Sequence, residues 1–411
     1  MRADTRQWLE DDWSYGWHPF TDQEQWEGAE VPVIVAGEGV FLIDSEGRRY
    51  YDGNSSIWTN IHGHRHPKLV AAISEQASAL CHSSYLGLAN ARASELAAQL
   101  CRAAGMARSF FSDNGSTAIE AALRMELQWR HQNGEPQRRG FVAFENGYHG
   151  DTLGAASLGG VGRFFTSIEG LGPEVNWAHT IEDLEELDAA HIAAVIIEPL
   201  IQGVNEMRPW PSGMLKQIRD WSQKNGVHLI LDEVMTGFGR TGALFACQAE
   251  NVIPDYLCLA KGLTGGTMPL AATLTTDEIY QAFKGTGRTF YYGHSYTANP
   301  LGCAVALANL ELCLAEDFLP RIQVQGEVMA EVLLTLRSST QVKETRRCGM
   351  VAGIELVGDG SGRVGKEVCQ KLRELGMLTR PILDTVVWMP PLVSTPEELQ
   401  AMGQLFIEAL S

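Results

Sequence analysis

Apolar and polar residues alternate along this chain with two different spacings, which predict strands and helices in turn. Residues 31–53 alternate apolar and turn-forming residues as hairpins do. The first part of the chain, to about residue 55, is therefore predicted to form strands and turns. From about residue 68 apolar positions recur at helical spacing, and the pattern of 93–104 ends at Gly105, a typical helix terminator.

Short, wholly apolar runs then alternate with helical patterns. A strand and a helix are predicted around residue 115, further strands at 139–146, 193–200, 227–234 and 255–262, and one long helix over 299–339. Strands that are apolar on both faces and alternate with helices are typical of a mainly parallel sheet covered on both sides. The predicted fold class is therefore α/β, with a mainly parallel mixed sheet.

The length of 411 residues exceeds that of one ordinary domain. The C-terminal part returns to a mixture of strands and helices after the long helix. We therefore predict a large domain over 61–305 and a small α+β domain built from both chain ends, 1–60 and 306–411.

Composition and charge exclude several classes of partner and location. The formal net charge of −18 argues against nucleic acid or an anionic membrane as a partner. Eight cysteines form no CxxC pair and lie mostly in apolar runs, as in reduced cytosolic proteins. The N-terminal residues include no apolar secretory segment, and no run of about 18 apolar residues occurs. The sequence therefore predicts a cytoplasmic protein.

Among the lysines, Lys261 alone follows an apolar strand and opens a glycine-rich turn. Loss of hydration there favours the neutral amine, which can attack a carbonyl group as a Schiff-base lysine does. A lysine that extends its amine to solvent beside a turn is the competing interpretation.

Asp232 ends the apolar strand that lies 29 positions before Lys261. A carboxylate at this end of a strand faces the crevice where α/β sheets bind ligands. It can hold a pyridine nitrogen protonated and so make the ring an electron sink. The competing interpretation is an aspartate that caps the following turn.

Two further segments suggest contacts to a flat, phosphorylated cofactor. Residues 112–117 precede a helix, so the amides of Gly115, Ser116 and Thr117 are candidates for an anion site, although a plain helix cap explains the same residues. Tyr148 follows a strand and can stack on a ring or form part of the core.

Two other motifs are typical of dinucleotide binding and of metal binding, but the residues around them argue against both functions. Residues 237–242 match GxGxxG, but no good helix and no acidic residue at dinucleotide-binding distance follow. His62, His64 and His66 alternate in sequence but lack cysteines or carboxylates at metal-ligand spacing, so no metal site is predicted.

The strings LILDEVMTGFGRTG and DYLCLAKGLTGG, which lie between Leu229 and Gly266, carry the aspartate and the lysine together. Together with the motifs described above, these strings resemble those of the class III aminotransferases of fold type I, which depend on pyridoxal 5′-phosphate (PLP). The resemblance extends from about residue 17 to the C-terminus. The resemblance implies that Lys261 binds the cofactor aldehyde, Asp232 pairs with its pyridine nitrogen and Tyr148 stacks on its ring. It also implies that Gly115 and Ser116 hold the phosphate.

The resemblance further implies a homodimer with shared active sites. Ser295 matches a position, usually threonine, that reaches the phosphate from the neighbouring subunit.

Residues 17–21, 52–58, 61–64, 378–381 and 388–392 are similar to the members that aminate 8-amino-7-oxononanoate in biotin synthesis. That resemblance implies that Arg380 receives the substrate carboxylate and that Phe20, Trp58 and Tyr148 line the channel for its carbon chain.

Two departures leave the amino donor open between S-adenosylmethionine and lysine. Ile57 stands where the adenosylmethionine-using members usually have tryptophan, and Phe20 where they have tyrosine. The lost ring and hydroxyl remove contacts to an adenosyl group. Two other functions compete: an ω-amine or diamine aminotransferase that uses pyruvate or 2-oxoglutarate, and a catalytically silent binding protein.

Overall fold

A computed structural model describes residues 1–411. Its helices and helical turns are α1 (Ala3–Tyr15), α2 (Gln23–Trp26), α3 (Ser55–Trp58), α4 (Pro67–Ala79), α5 (Ala91–Ala104), α6 (Gly115–Gln132), α7 (Leu153–Ser157), α8 (Gly162–Phe165), α9 (Ile181–Glu185), α10 (Met214–Asn225), α11 (Asp277–Ala282), α12 (Pro300–Cys313), α13 (Phe318–Leu336), α14 (Arg363–Leu375) and α15 (Pro396–Ala409). Short 3-10 helices occupy Thr166–Ile168, Ala189–His191, Ala246–Glu250 and Lys261–Thr264.

The strands are β1 (Ile34–Glu38), β2 (Phe41–Asp44), β3 (Arg49–Asp52), β4 (Arg108–Ser112), β5 (Gly140–Phe144), β6 (Val175–Ala178), β7 (Ile192–Ile197), β8 (Ile201–Gln202), β9 (Arg208–Pro209), β10 (His228–Asp232), β11 (Tyr256–Leu259), β12 (Ala271–Thr275), β13 (Val342–Cys348), β14 (Val351–Leu356), β15 (Met377–Leu378), β16 (Pro381–Ile382) and β17 (Thr385–Trp388).

The central sheet has seven strands in the order β4-β12-β11-β10-β7-β5-β6. Only β12 runs antiparallel to its neighbours, so the sheet is mixed and mainly parallel, as the apolar runs predicted. Alternate residues of β10 belong to hydrophobic clusters on opposite faces, with Leu229 and Leu231 on one side and Ile230 on the other. Helices therefore cover both faces of the sheet, which explains why strands such as β5 and β7 consist of apolar residues only.

Two smaller sheets come from the chain ends. One has the order β1-β2-β3-β15 and so joins N-terminal strands to a C-terminal one, and the other has the order β13-β14-β17-β16. The division into domains at 60/61 and 305/306 stays a prediction, and its second boundary falls within α12. No helix combines the length and the apolar character needed to cross a membrane.

Two predicted elements are wrong. The N-terminal part, predicted as strands and turns, begins with the helix α1, in which only Thr5 and Leu9 are buried. Two buried positions one turn apart leave too weak a periodicity to detect. The single long helix predicted over 299–339 is two helices, separated at residues 314–317. Pro320 explains the break, because proline lacks the N–H that would bond to Glu316 and its ring clashes there.

Candidate active site

Three parallel strands bring charged residues to one edge of the central sheet. Asp232 is the last residue of β10, Glu198 follows β7 directly, and Lys261 lies two residues beyond β11. Because β10 pairs in parallel with both β7 and β11, the carboxyl ends of all three strands lie side by side. A cavity of about 980 Å³ opens at this edge, and all three residues line it.

Lys261 lies in this cavity without a hydrogen-bonded or ionic partner, and its Nζ is 4.6 Å from the centre of the Trp58 ring. Burial lowers the pKa of the Lys261 amine, while the charges of Asp232, Glu198 and Asp151 oppose that effect. A lowered pKa increases the fraction of neutral amine, which is the nucleophilic form. The sequence prediction of a desolvated lysine therefore agrees with the geometry.

Asp232 is held by contacts to both of its carboxylate oxygens. Its Oδ2 lies 2.8 Å from Nδ1 of His149, and both side chains are buried. Its Oδ1 accepts a hydrogen bond of 3.1 Å from the Val234 amide, which is the turn-capping contact that the sequence left open. The carboxylate thus has a fixed orientation in the cavity wall, and His149 is the group that orients it.

Glu198 is a second buried carboxylate in the cavity wall. Its two oxygens accept hydrogen bonds from the amides of Tyr148 at 3.1 Å and Gly203 at 2.9 Å. Burial nevertheless raises the pKa of Glu198 to about 7, with His149 opposing the rise and Asp232 adding to it. Near neutral pH, Glu198 therefore changes between its protonated, neutral form and its charged form.

The start of α6 offers free amides to an anion. Asn114 caps this helix by accepting a hydrogen bond of 3.1 Å from the Thr117 amide, so the Thr117 N–H predicted to bind an anion is already used. The amides of Gly115 and Ser116 donate to no group of the chain. Two unpaired N–H groups at the N-terminus of an 18-residue helix are suited to a phosphate group.

Glycines allow two segments of the cavity wall to pack closely against their neighbours. A Cβ on Gly115 would lie 2.7 Å from Cγ1 of Val234, and one on Gly150 would lie 2.1 Å from Oγ of Ser116. The same Ser116 Oγ accepts a hydrogen bond of 3.0 Å from the Asp151 amide. The segment that carries Tyr148 is therefore tied to the start of α6.

Aromatic rings form another wall of the cavity. Tyr148 is half-buried and donates a hydrogen bond of 2.8 Å from its hydroxyl to Oδ2 of Asp151. Burial, followed by this hydrogen bond, raises the pKa of the Tyr148 phenol well above its ordinary value. Phe164 lies edge-on to both Phe20 and Tyr148, with ring centres 5.5 and 6.5 Å apart.

A strained turn presents Trp58 to the cavity. All four residues of α3 have positive φ angles, between 47° and 67°, so this turn is left-handed. Asp52 stabilises it by accepting hydrogen bonds of 2.8 Å from the amide and from the hydroxyl of Ser56. Strained backbone of this kind persists only where its surroundings hold it, and it is concentrated at functional sites.

The chain matches known proteins over almost its whole length. The family model for class III aminotransferases matches residues 23–410. The chain is a class III aminotransferase. It is 43% identical to the adenosylmethionine-8-amino-7-oxononanoate aminotransferase of Geobacter sulfurreducens, over 93% of this chain and 92% of that protein. Identity to the protein of the same name from Nitratidesulfovibrio vulgaris is 42%, over 95% of this chain and 79% of that protein.

Solved structures resemble the aminotransferase closely. The crystal structure of adenosylmethionine-8-amino-7-oxononanoate aminotransferase from Methanocaldococcus jannaschii superposes with a TM-score of 0.97, at 36% identity and over 99% of both chains. An amine transaminase from an uncultivated Pseudomonas species, in a PLP-bound form, gives 0.92 at 31% identity over 96% of this chain and 98% of that one. These likenesses confirm the predicted fold type I.

Class III aminotransferases depend on PLP, and the cavity of this aminotransferase fits that cofactor. The free amides of Gly115 and Ser116 suit its phosphate. The partner-free Lys261 amine suits its aldehyde, and the oriented carboxylate of Asp232 suits its ring nitrogen. One cavity therefore contains N–H donors for a phosphate, an amine for an aldehyde and a carboxylate for a ring nitrogen.

The structure brings most of the predicted site residues to this cavity. Eight of them line it: Phe20, Trp58, Gly115, Ser116, Tyr148, Asp232, Lys261 and Arg380. Ser295 does not line it and is exposed on the surface of the chain. The individual roles of these residues stay predictions.

Sequence reasoning missed several residues of the cavity wall. Glu198 follows an apolar strand just as Asp232 ends one, so the same argument could have found it. His149 adjoins Tyr148 in sequence, but nothing in the sequence indicates its contact with Asp232. Phe164 lies on the short helix α8, which carries no motif.

The two competing motifs have structural roles. In the GxGxxG segment Arg240 is fully buried and donates hydrogen bonds to the carbonyl groups of Pro390 at 2.6 Å and Asn60 at 2.9 Å. Of the histidine run, His64 contacts Asp52 at 2.9 Å. His62 is buried, and burial lowers its pKa to about 4.

We expect PLP to be attached to the enzyme through Lys261 alone. After borohydride reduction of the holoenzyme, peptide mass spectrometry should locate the pyridoxyl group on Lys261, and the Lys261→Ala variant should carry none. Lys216→Ala, which removes an exposed lysine paired with Asp220, is the control and should be labelled like the wild type. A label on another lysine of Lys261→Ala contradicts the assignment.

Glu198 should make the stability of the enzyme depend on pH. Its pKa of about 7 in the folded state exceeds the ordinary value of 4.5, so the folded protein binds its proton more tightly than the unfolded chain does. Stability is therefore lost as pH rises through this window. The free energy of unfolding of the wild type, relative to Glu198→Gln, should fall by roughly 3 kcal/mol between pH 4.5 and 8.

Urea denaturation at a series of pH values measures this difference. Glu75→Gln, which removes an exposed carboxylate without an ionic partner, provides the baseline. A difference between wild type and Glu198→Gln that is constant across this pH range shows that Glu198 does not hold a proton as described.

Proposed function

We propose that this aminotransferase transfers an amino group to 8-amino-7-oxononanoate and forms 7,8-diaminononanoate in biotin synthesis. Five relatives that are 39–43% identical to it carry the name of this activity. One observation on the site supports it most directly. The cavity that holds the Lys261 amine is also lined by the Arg380 guanidinium, and Phe20, Trp58 and Phe164 line it with aromatic rings.

These features suit the acceptor substrate. The ketone of 8-amino-7-oxononanoate is separated from its carboxylate by a chain of methylene groups. Aromatic rings favour burial of that chain, and a guanidinium binds the carboxylate. Arg380 forms no ion pair within the chain, so it is available to a substrate anion.

The chain's own residues handle the protons of the reaction. When bound, PLP supplies an aldehyde that condenses with amines and a ring that takes up an electron pair. The Lys261 amine, with its lowered pKa, would take a proton from the donor carbon next to nitrogen and deliver a proton to the cofactor carbon within the same half-reaction. In the second half-reaction it would move a proton in the reverse direction, from the cofactor carbon to the acceptor carbon. Asp232, oriented by His149, would present a negative charge to the ring nitrogen, and Tyr148 would offer its ring for stacking.

We propose S-adenosylmethionine as the amino donor, because the relatives carry this donor in their names. Lysine is the competing donor. Ile57 and Phe20 both line the cavity. Ile57 lacks the aromatic ring, and Phe20 lacks the hydroxyl, that contacts with an adenosyl group are expected to use.

Turnover experiments test the proposal. The purified holoenzyme with 8-amino-7-oxononanoate and S-adenosylmethionine should form 7,8-diaminononanoate, detected by mass spectrometry, and Lys261→Ala should form none. Mixing each donor alone with the enzyme should bleach the visible absorbance of bound PLP only for the true donor. Turnover of simple amines with pyruvate or 2-oxoglutarate, and none of the oxononanoate, contradicts the proposal and favours an ω-amine aminotransferase.

We also propose that the enzyme is a cytoplasmic homodimer in which each subunit completes the site of the other. All eight cysteines are free thiols, which suits a reducing compartment. Ser295 lies outside the cavity of its own chain, beside Tyr291 and Tyr296, which are 81% and 59% exposed. Large exposed aromatic side chains near each other in sequence favour an interface at this segment.

Complementation between subunits tests the shared site. Ser295→Glu places a negative charge against the partner's phosphate, so we expect this variant and Lys261→Ala each to be inactive alone. Heterodimers of the two, isolated with two affinity tags, should regain about half of the wild-type activity because one of their two sites is intact.

The control pairs Lys261→Ala with Asp232→Ala. Both residues line the cavity of one chain, so every site in this heterodimer is defective and no activity should return. An active Ser295→Glu homodimer, or heterodimers with Lys261→Ala that stay inactive, contradicts the shared site.

A further inference from the structure

Besides the buried Lys261, three exposed basic side chains line the cavity and have no carboxylate partner. Arg163, Lys366 and Arg380 all line it and are all exposed, and none forms an ion pair within the chain. The chain has 50 acidic residues against 32 lysines and arginines, so partners are plentiful elsewhere. We call these three residues the cationic entrance.

Packing places Lys366 next to the segment that carries Arg380. Lys366 follows Gly365 near the start of α14, and a Cβ on Gly365 would lie 2.3 Å from the Leu383 carbonyl oxygen and 2.8 Å from Cβ of Pro381. Asp384 joins the two segments, because its carboxylate accepts hydrogen bonds from the amides of Gly360 and Gly365. The start of α14 and residues 380–384 therefore form one fixed wall.

The positive charge of Arg380 also acts on Cys369, a residue of α14. Burial raises the pKa of the Cys369 thiol to about 12, and the positive charge of Arg380 opposes that rise. Cys369 is three residues after Lys366, one helical turn away. The charges of Lys366 and Arg380 thus belong to the same region of the cavity wall.

A second cation at the start of α14 is neutralised and lies outside the cavity. Arg363 forms an ion pair of 2.9 Å with Glu367, one turn further along the helix. It does not line the cavity, whereas Lys366 does. Arg363 and Lys366 are three residues apart on one helix. Arg363 is paired with a carboxylate and does not line the cavity, whereas Lys366 is unpaired and does.

The carboxylates that line the cavity are largely committed to other contacts. Asp113 pairs with His294 at 3.3 Å, Asp232 pairs with His149, and Glu198 accepts two amide hydrogen bonds. Asp22 is exposed and accepts a hydrogen bond from the Glu24 amide at the start of α2. Three unpaired cations therefore face a single exposed carboxylate in the solvent-accessible part of the cavity.

We propose that Lys366 is a second cation for the substrate carboxylate beside Arg380, and that with Arg163 it makes the cavity selective for substrates that end in a carboxylate. This inference rests on the proposed function, in which the acceptor is an oxo acid with a long chain. An ammonium group and a guanidinium together can satisfy both oxygens of one carboxylate.

Loss of Lys366 should weaken substrate binding and leave the chemical step unchanged. Exposed ion pairs contribute little each, so Lys366→Met should raise KM for 8-amino-7-oxononanoate by about three- to fivefold. Lys366→Glu adds repulsion and competes for Arg380, so KM should rise at least about tenfold. In both variants kcat should change less than about twofold, because the proposed role of Lys366 is to bind the substrate carboxylate and not to transfer protons.

The methyl ester of the same substrate isolates the role of its charge. KM for the ester should be equal for the wild type and both Lys366 variants. Raising the salt concentration should reduce the advantage of the wild type for the acid, since exposed charges are screened. A KM for the acid within twofold of wild type in both variants, or an equal rise for acid and ester, overturns the proposal.

Arg363→Glu is the matched control. It changes the net charge as Lys366→Glu does, on the same helix, but removes a cation that does not line the cavity. Its KM for the acid should stay within twofold of wild type. An equal rise in Arg363→Glu and Lys366→Glu would mean that overall charge, and not Lys366, determines the selectivity.

A binding experiment separates this inference from the proposed function. Calorimetry of the holoenzyme with nonanoate should show weaker binding for Lys366→Glu than for Arg363→Glu, and methyl nonanoate should not distinguish them. If the oxononanoate is not turned over but this pattern holds, the proposed function fails and the carboxylate site stands. If the oxononanoate is turned over and the Lys366 variants behave as wild type, only this inference fails.

Discussion

The parallel pairing of β10 with β7 and β11 is the constraint on which the active site depends. It aligns Leu231 with Ile197 and Asp232 with Cys258, so the residues that follow each strand leave the sheet at the same edge. Glu198, Asp232 and Lys261 are consequently close together although 63 positions separate the first from the last. The charge of Asp232 raises the pKa of Glu198, and the charges of both carboxylates oppose the lowering of the Lys261 pKa by burial.

Burying these charged groups costs free energy, and hydrogen bonds from surrounding groups offset part of that cost. Asp232 is stabilised by His149 and by the Val234 amide, and Glu198 by two amides. Lys261 receives no such contact within the chain. The unsatisfied amine and the free amides of α6 are therefore the groups that gain most from a bound cofactor, because a ligand that binds only the folded state stabilises it.

Backbone strain is concentrated around the same cavity. Five of its lining residues other than glycine have positive φ angles: Phe20, Ile57, Trp58, Lys261 and Leu383. Each such residue costs roughly 1–3 kcal/mol and persists only where its surroundings hold it in place. The hydrogen bonds of Asp52 to Ser56 and of Asp384 to Gly360 and Gly365 are contacts of the kind that hold these turns. The cavity walls are thus rigid on the sides that carry Trp58 and Arg380.

The sequence by itself determined the mainly parallel sheet, because strands buried on both faces are largely apolar, and it singled out Lys261 and Asp232, because both follow such strands within two strings that resemble the class III family. It did not determine α1, whose two buried residues are too few to mark a face, or the division between α12 and α13. Only the tertiary structure decided that His149 orients Asp232 and that Lys366 lines the cavity while Arg363 does not. These are contacts between segments far apart in the chain or choices of side-chain direction, and local residue patterns carry information about neither.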